Sequence, residues 1–318
     1  LYLPGTFTIN QSVLSGVGGT ISFFAVGAGG GGAQGNEGDG GGNGGNGGSS
    51  AWIEAIPVSD ITGDITVVVG NAYYGIARYQ GQDDGGGTLT AFTGGDSIIT
   101  IPTSSGNVVL TAFGGKGGSN YSANNLTQPV GTITNISYLT SGLQSGVFQG
   151  GAGGQSYNGG GPGAGAAGYS NHGGNGMYTA NASGGTDPAL SRSGAPGSAR
   201  SNRVVGVDGG GSGGIGSASD NTSGSGGGAY YFADIDSVIN SDIPTSFSNG
   251  LIVSKNGLDM TDTTSTTQSA VNGGYPGGGG SGGRDGDQNT GAATSHVSSY
   301  GGNGMVIFRR NKATLLTA

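Results

Sequence analysis

Short hydrophobic runs recur along the chain, and most stop abruptly at a block of glycine. Thr6–Ile9 alternates, Ser15–Gly19 turns, and Thr20–Val26 carries a second run ending Ile21-Ser22-Phe23-Phe24-Ala25-Val26. Runs of this length put successive side chains on opposite faces of a pleated backbone, so each predicts a β-strand. Ala51–Ile56 alternates next, with Trp52 and Glu54 on one face, Ile53 and Ile56 largely on the other, and Pro57 at its end or at an edge. Asp64–Gly70 is β-branched and stopped by glycine. Thr88–Phe92, Ser97–Ile101 and Asn107–Phe113 read as three more strands. Further runs at Val130–Tyr138, Arg203–Val207, Ala229–Ala233, Leu251–Ser254 and Met305–Arg309 complete the strands, and Ile235–Ile239 reads as a short helix. Glu37 and Glu54 are the only glutamates and helix formers are scarce, so the pattern predicts an all-β chain. The N- and C-terminal strands are expected to share one sheet, with the glycine segments bundled beside it.

Between the strands the glycine itself is periodic. In Gly27–Gly48, Gly29, Gly32, Gly35, Gly38, Gly41, Gly44 and Gly47 keep a spacing of three, as do Gly274, Gly277, Gly280, Gly283 and Gly286 near the end. Three residues per turn is the period of a polyproline-II-type helix, which has no internal hydrogen bonds. Its N–H and C=O groups need partners on neighbouring segments, and glycine lets backbones approach closely enough to supply them. Gly29–Gly47 is therefore expected to be an extended helix hydrogen-bonded to at least the Gly274–Gly286 tract. The sequence Gly-Gly-Asn-Gly-Met occurs twice, starting at Gly173 and at Gly301. No linker stands out, so 1–318 reads as one domain with polar loops inserted at 71–84, 119–148, 178–203 and 229–272.

Composition narrows the function classes. Glycine supplies 78 of the 318 residues and 9% of residues are charged, against about 7% and about 25% in ordinary globular chains. The net charge is −8 and lysine is confined to Lys116, Lys255 and Lys312. Phosphate binding needs clustered Lys and Arg, so nucleic acid and anionic membrane surfaces are poor partners. Arg309, Arg310 and Lys312 form one small basic cluster, read as solvated. The absence of cysteine excludes disulfides, thiolate metal sites and a Cys nucleophile. No apolar run approaches the ~18 residues of a membrane-spanning helix, so no membrane insertion is expected.

Motifs that carry chemistry fail on inspection. Gly27-Ala28-Gly29-Gly30-Gly31-Gly32 fits G-x-G-x-x-G after a strand, but 33–48 cannot form the helix whose N-terminus would meet a pyrophosphate. Asp285, Asp287 and Asn289 have the 1, 3, 5 oxygen spacing that opens a calcium loop. Thr290 then stands where the turn glycine belongs and His296 where the bidentate Glu belongs, leaving a weak calcium candidate in a polar turn. His172 and His296 are the only histidines, and no Gly-x-Ser-x-Gly elbow stands on a strand-to-helix turn. No cofactor and no enzymatic activity are expected. Tyr73, Tyr74, Tyr79, Tyr230 and Tyr231 lie in or beside polar segments, where an amphipathic ring with few rotors suits contact with a partner or a sugar face, or completes a small core.

Pro4–Thr8, Ser22–Gly32, Ile65–Gly70 and Gly301–Ile307 together resemble the glycine-rich domain of phage tail-fibre and other virion fibre proteins. The arrangement is also similar to the glycine-rich extracellular region of anaplastic-lymphoma-kinase-type receptors. The resemblance spans essentially the whole chain. It implies polyglycine-II helices bundled beside a jelly-roll-like β framework, with loops between glycine motifs contacting a bacterial receptor. The insertions at 119–148 and 229–272 depart from it. The expected function is thus a non-enzymatic structural and adhesive protein of a virion fibre or particle surface, or extracellular. Its expected partners are other subunits in a homo-oligomer and a host-surface glycan or outer-membrane protein, with the five tyrosines as contact candidates. The alternatives are a subunit of a self-assembling extracellular filament and, lower, a polysaccharide-degrading tailspike.

Overall fold

The computed structural model describes residues 3–15, 19–33, 42–72, 93–119, 128, 130–154, 163–168, 172–175, 177–179, 215–217, 273–280 and 299–311. The strands are β1 (Gly5–Ile9), β2 (Thr20–Val26), β3 (Ser50–Pro57), β4 (Ile65–Val69), β5 (Ser97–Thr103), β6 (Gly106–Ala112), β7 (Thr132–Thr134), β8 (Ser145–Phe148), β9 (Met177–Thr179), β10 (Ile215–Ser217) and β11 (Met305–Asn311). Apart from the five-residue helix α1 (Gln11–Ser15) and two single 3-10 turns, the described regular elements are strands, as an all-β chain requires. Two antiparallel sheets carry the fold, ordered β1-β4-β5-β6-β7 and β11-β2-β3-β8, while β9 and β10 form a small parallel pair.

The two sheets share one hydrophobic core built from alternate residues. Ile21, Phe23 and Ala25 of β2, Ile53 and Ile56 of β3, Ile65, Val67 and Val69 of β4, and Ile99 and Ile101 of β5 all point into it. The expectation that Ile53 and Ile56 share a face despite their odd spacing has a backbone cause. Ala55 has φ 57°, its N–H bonds the Ser22 Oγ at 3.0 Å, and the β2–β3 register shifts between Ile21 and Phe23. One extra residue in the strand restores the inward face, which is a β-bulge. The opposite face of β2 is buried too. Phe24 and Val26 pack with Trp52, Met305 and Ala166 in a second cluster, against which Tyr275 lies. Trp52 stands across from Gly146 of β8, where a Cβ would come within 2.5 Å of the indole Nε1.

Three sequence expectations change. The first strand, β1, joins the five-stranded sheet through β4, and the last, β11, pairs with β2 in the other sheet, so the terminal strands do not share a sheet. Arg310 nevertheless ties that side of the molecule together, because its guanidinium donates to the Val13 and Leu14 carbonyls of α1 at 3.3 and 2.8 Å. That side chain is therefore engaged rather than solvated. The stretch 119–148, read as an insertion with a strand at Val130–Tyr138, supplies β7 within that run to one sheet and β8, which was not expected, to the other. The Val130–Gln149 bridge joins the two at that side.

The glycine segments grow directly out of these strands. β2, β4, β6 and β8 run out into 27–33, 70–72, 113–119 and 149–154, whereas β3, β5 and β11 are entered from 42–49, 93–96 and 299–304. All seven leave or enter at the same end of the two sheets, as antiparallel neighbours must. Segment 43–49 lies at the centre, and its N–H groups address three neighbours in rotation. Asn43, Asn46 and Ser49 donate to Ser119, Lys116 and Phe113; Gly44 and Gly47 to Gly154 and Gly151; Gly45 and Gly48 to Gly280 and Gly277, all at 2.8–3.1 Å. Its carbonyls at 43, 46 and 49 accept from Ala33, Gly30 and Gly27, and those at 45 and 48 from Ala164 and Ala167. Residues 27–33 and 42–50 are buried throughout. In this part of the molecule the core is made of main chain, and its cohesion comes from hydrogen bonds that leave few buried polar groups unpaired.

Candidate interaction surface

The hydrogen-bond register shows where the bundle's connections begin and end. Gly27, Ser49 and Phe113 bond one another beside the sheets, and Ala33, Asn43 and Ser119 do so six residues farther out. Gly154, Gly280, Ala164 and Ser299 bond to residues 44, 45 and 32 at that same outer level. Ala33, Ser119, Gly154 and Gly280, the described residues that precede 34–41, 120–127, 155–162 and 281–298 in the chain, therefore all lie toward the end of the bundle opposite the sheets. Ala72 and Thr93, which flank 73–92, also lie on bundle segments beyond the strands.

Of the structural glycines expected from the period of three, Gly29, Gly32, Gly44, Gly47, Gly274, Gly277 and Gly280 stand in this bundle. Contact with the described part of the second tract takes the form expected: Gly45 N–H bonds Gly280, Gly48 bonds Gly277, and Gly280 bonds Gly30. Gly277 adopts φ 74° in the turn at 275–277, a conformation open to glycine and strained for other residues. Gly35, Gly38, Gly41, Gly283 and Gly286 lie outside the described residues, as do Tyr73, Tyr74, Tyr79, Tyr230 and Tyr231 and the calcium candidates Asp285, Asp287 and Asn289. Among the described residues no group of three His, Asp or Glu side chains could hold a metal ion. His172 has a structural contact set: its Nδ1 accepts the Gln149 N–H at 2.9 Å and its ring meets Phe148 edge-on at 5.5 Å. No described helix is long and apolar enough to cross a membrane.

A polar cluster that sequence reasoning missed completes the central segment. Five backbone neighbours surround 43–49, and the remaining side, between 113–119 and 149–154, is filled by side chains. Asn46 Nδ2 donates to Gln128 Oε1 at 3.1 Å, Gln128 Nε2 donates to the Gly114 carbonyl at 2.8 Å, and Gln149 Nε2 donates to the Gln128 carbonyl. Asn43, Asn46 and Ser49 are the non-glycine positions of this segment and repeat every third residue. The same face thus recurs once per turn of the threefold rotation, and it is the one face whose side chains have somewhere to go. No family model matches the chain, and no curated protein matches it in sequence.

Proposed function

We propose that this chain is a non-enzymatic structural and adhesive protein of a virion fibre or particle surface. In this reading a rigid glycine bundle presents polar segments for receptor contact or assembly. The observation that carries the reading is that Ala33, Ser119, Gly154 and Gly280, which precede 34–41, 120–127, 155–162 and 281–298 in the chain, all lie toward the bundle end away from the sheets. An adhesive tip needs a stiff stem and sequence-tolerant connections at one pole, because binding residues concentrate on loops held by a rigid scaffold. The threefold rotation of hydrogen bonds supports reading the bundle segments as polyglycine-II helices, which at ~3.1 Å per residue would set the anchoring level about 19 Å from the strands. Its partners in this reading are further copies of the chain and a host-surface glycan or outer-membrane protein.

Adsorption tests the reading. Purified protein should compete with particle adsorption to host cells, and replacing Tyr73, Tyr74, Tyr79, Tyr230 and Tyr231 by Ala should abolish competition while leaving the fold intact. Undiminished competition by the substituted protein would remove those tyrosines from the contact surface. Absence of competition by the parent would remove the adhesive role.

A further inference from the structure

The triplet Gly-Gly-Asx occurs at four places where all three residues are described: Gly44-Gly45-Asn46, Gly94-Gly95-Asp96, Gly173-Gly174-Asn175 and Gly301-Gly302-Asn303. In every one the Asx Oδ1 accepts a main-chain N–H from a different segment. Gly153 donates to Asn46, Gly114 to Asp96 and Ala152 to Asn175, each at 2.8 Å, and Ala72 donates to Asn303 at 2.9 Å. The glycines before each Asx meanwhile take part in main-chain bonding. Gly44 and Gly45 donate to Gly154 and Gly280, Gly94 and Gly95 to Gly115 and Asn71, and Gly302 to Gly278, while the Gly174 carbonyl accepts from Gly165.

We infer that Gly-Gly-Asx is a clamp built into the bundle. Its two glycines pack by main chain, and its third residue extends a side-chain carbonyl that does for a neighbouring strand of chain what a peptide carbonyl does elsewhere in the bundle. The side-chain amide or carboxylate oxygen is a strong acceptor two bonds beyond Cβ, so it reaches a segment that a main-chain oxygen on the same residue does not face. Only an acceptor is required, which explains why Asp96 and the three asparagines occupy equivalent positions. Three of the four clamps hold residues near the end of a described bundle segment, and the fourth, at Asp96, holds Gly114 just after β6. Ala72 is the last described residue before 73–92, and Ala152 and Gly153 directly precede 155–162. Asn303 is accordingly a positioning residue for Ala72, the residue that precedes Tyr73 in the chain. The clamp also gives a physical meaning to the repeated Gly-Gly-Asn-Gly-Met: each copy closes a bundle segment with a clamp before a strand begins at Met177 or Met305.

Residue-resolved amide hydrogen exchange on the full chain tests the clamp. In Asn303→Ala the Ala72 amide should exchange at least about tenfold faster, with the Gly302 and Gly304 amides unchanged. In Asn303→Asp, which keeps the acceptor, Ala72 should stay protected. Asn175→Ala, at an exposed position, should release Ala152 in the same local manner and serves if Asn303→Ala does not fold. Unchanged exchange at Ala72 and Ala152 in the two alanine variants would overturn the inference. So would an Asn303→Asp protein that loses Ala72 protection as fully as Asn303→Ala, or a loss of protection throughout the bundle in Asn175→Ala.

Discussion

Replacing Gly47 by Ala perturbs the bundle at its centre. A Cβ built on Gly47 would lie 1.9 Å from the Gly165 carbonyl oxygen and 2.4 Å from its carbon. These are main-chain atoms and no side-chain rotation relieves the overlap. Segments 43–49 and 163–168 would have to separate by at least about 1.1 Å to reach the closest contact that real Cβ atoms show. The two are joined by the Ala164 N–H to the Gly45 carbonyl at 3.0 Å and the Ala167 N–H to the Gly48 carbonyl at 2.8 Å. A shift of that size breaks both, and all four residues are buried. At about 1–3 kcal/mol for each buried group left unpaired, the substitution should cost about 4 kcal/mol, a large part of a typical 5–15 kcal/mol stability. Gly63→Ala is the matched control, because its Cβ would meet only the Pro102 ring at 3.3 Å, and a change under about 1 kcal/mol is expected. Guanidinium unfolding followed by fluorescence reads the difference. Trp52 is the single tryptophan, and it packs in the same cluster as Ala166 of the displaced segment. A loss below about 1 kcal/mol for Gly47→Ala, equal to that of Gly63→Ala, would refute the claim that close main-chain contact holds the bundle.

Two further substitutions probe the junction between strands and bundle. Ser97 is buried at the start of β5, where its Oγ donates to the Val26 carbonyl at 2.7 Å and accepts the Gly70 N–H at 3.0 Å. Ser97→Ala should lower unfolding free energy by about 2–3 kcal/mol in the same assay, by leaving those two buried groups unpaired. Phe24→Ala should cost about 3–5 kcal/mol, since the ring is fully buried between β2 and the glycine segments. Phe308→Ala, at a side chain 42% exposed on β11, should cost well under half of that.

What the sequence revealed followed the chemistry of side chains. The β-branched run of β4 and the strict alternation of β5 announce themselves, because burial of every second residue selects for hydrophobic bulk there. The edge strand β7 was legible only as part of the longer run Val130–Tyr138, and β8 was not legible at all. Thr132–Thr134 and Ser145–Phe148 are short, polar or glycine-containing and only partly buried, so they carry the composition of a loop. The bulge at Ala55 shows only in the odd spacing of Ile53 and Ile56, since nothing about alanine itself favours a positive φ. Helix α1 is five residues with no acidic first turn or basic last turn, too short for a periodic signal.

In the glycine tracts the period of three was present, but counting glycines was the weaker way to read it. Glycine has no side chain to select, so its own spacing constrains little. The informative positions are the exceptions: Asn43 and Asn46 meet the side chains of Ser119 and Gln128, and the Ser49 Oγ donates to the Phe113 carbonyl. Likewise Gly-Gly-Asn-Gly-Met was visible as a repeat, while its role required knowing which N–H each Asn Oδ1 receives. The candidate tyrosines rest on sequence alone, since only the bundle residues flanking 73–92 are described.

Main-chain hydrogen bonds, addressed in threefold rotation, make the glycine bundle a core in its own right. Amide exchange across 43–49 in the parent protein tests it most directly. All seven amides, including Gly44, Gly45, Gly47 and Gly48, should exchange as slowly as those of Phe23 and Phe24 in β2, with no gap at any one of the three faces. Exchange of these glycine amides near the rate of an unstructured peptide, while β2 stays protected, would contradict it.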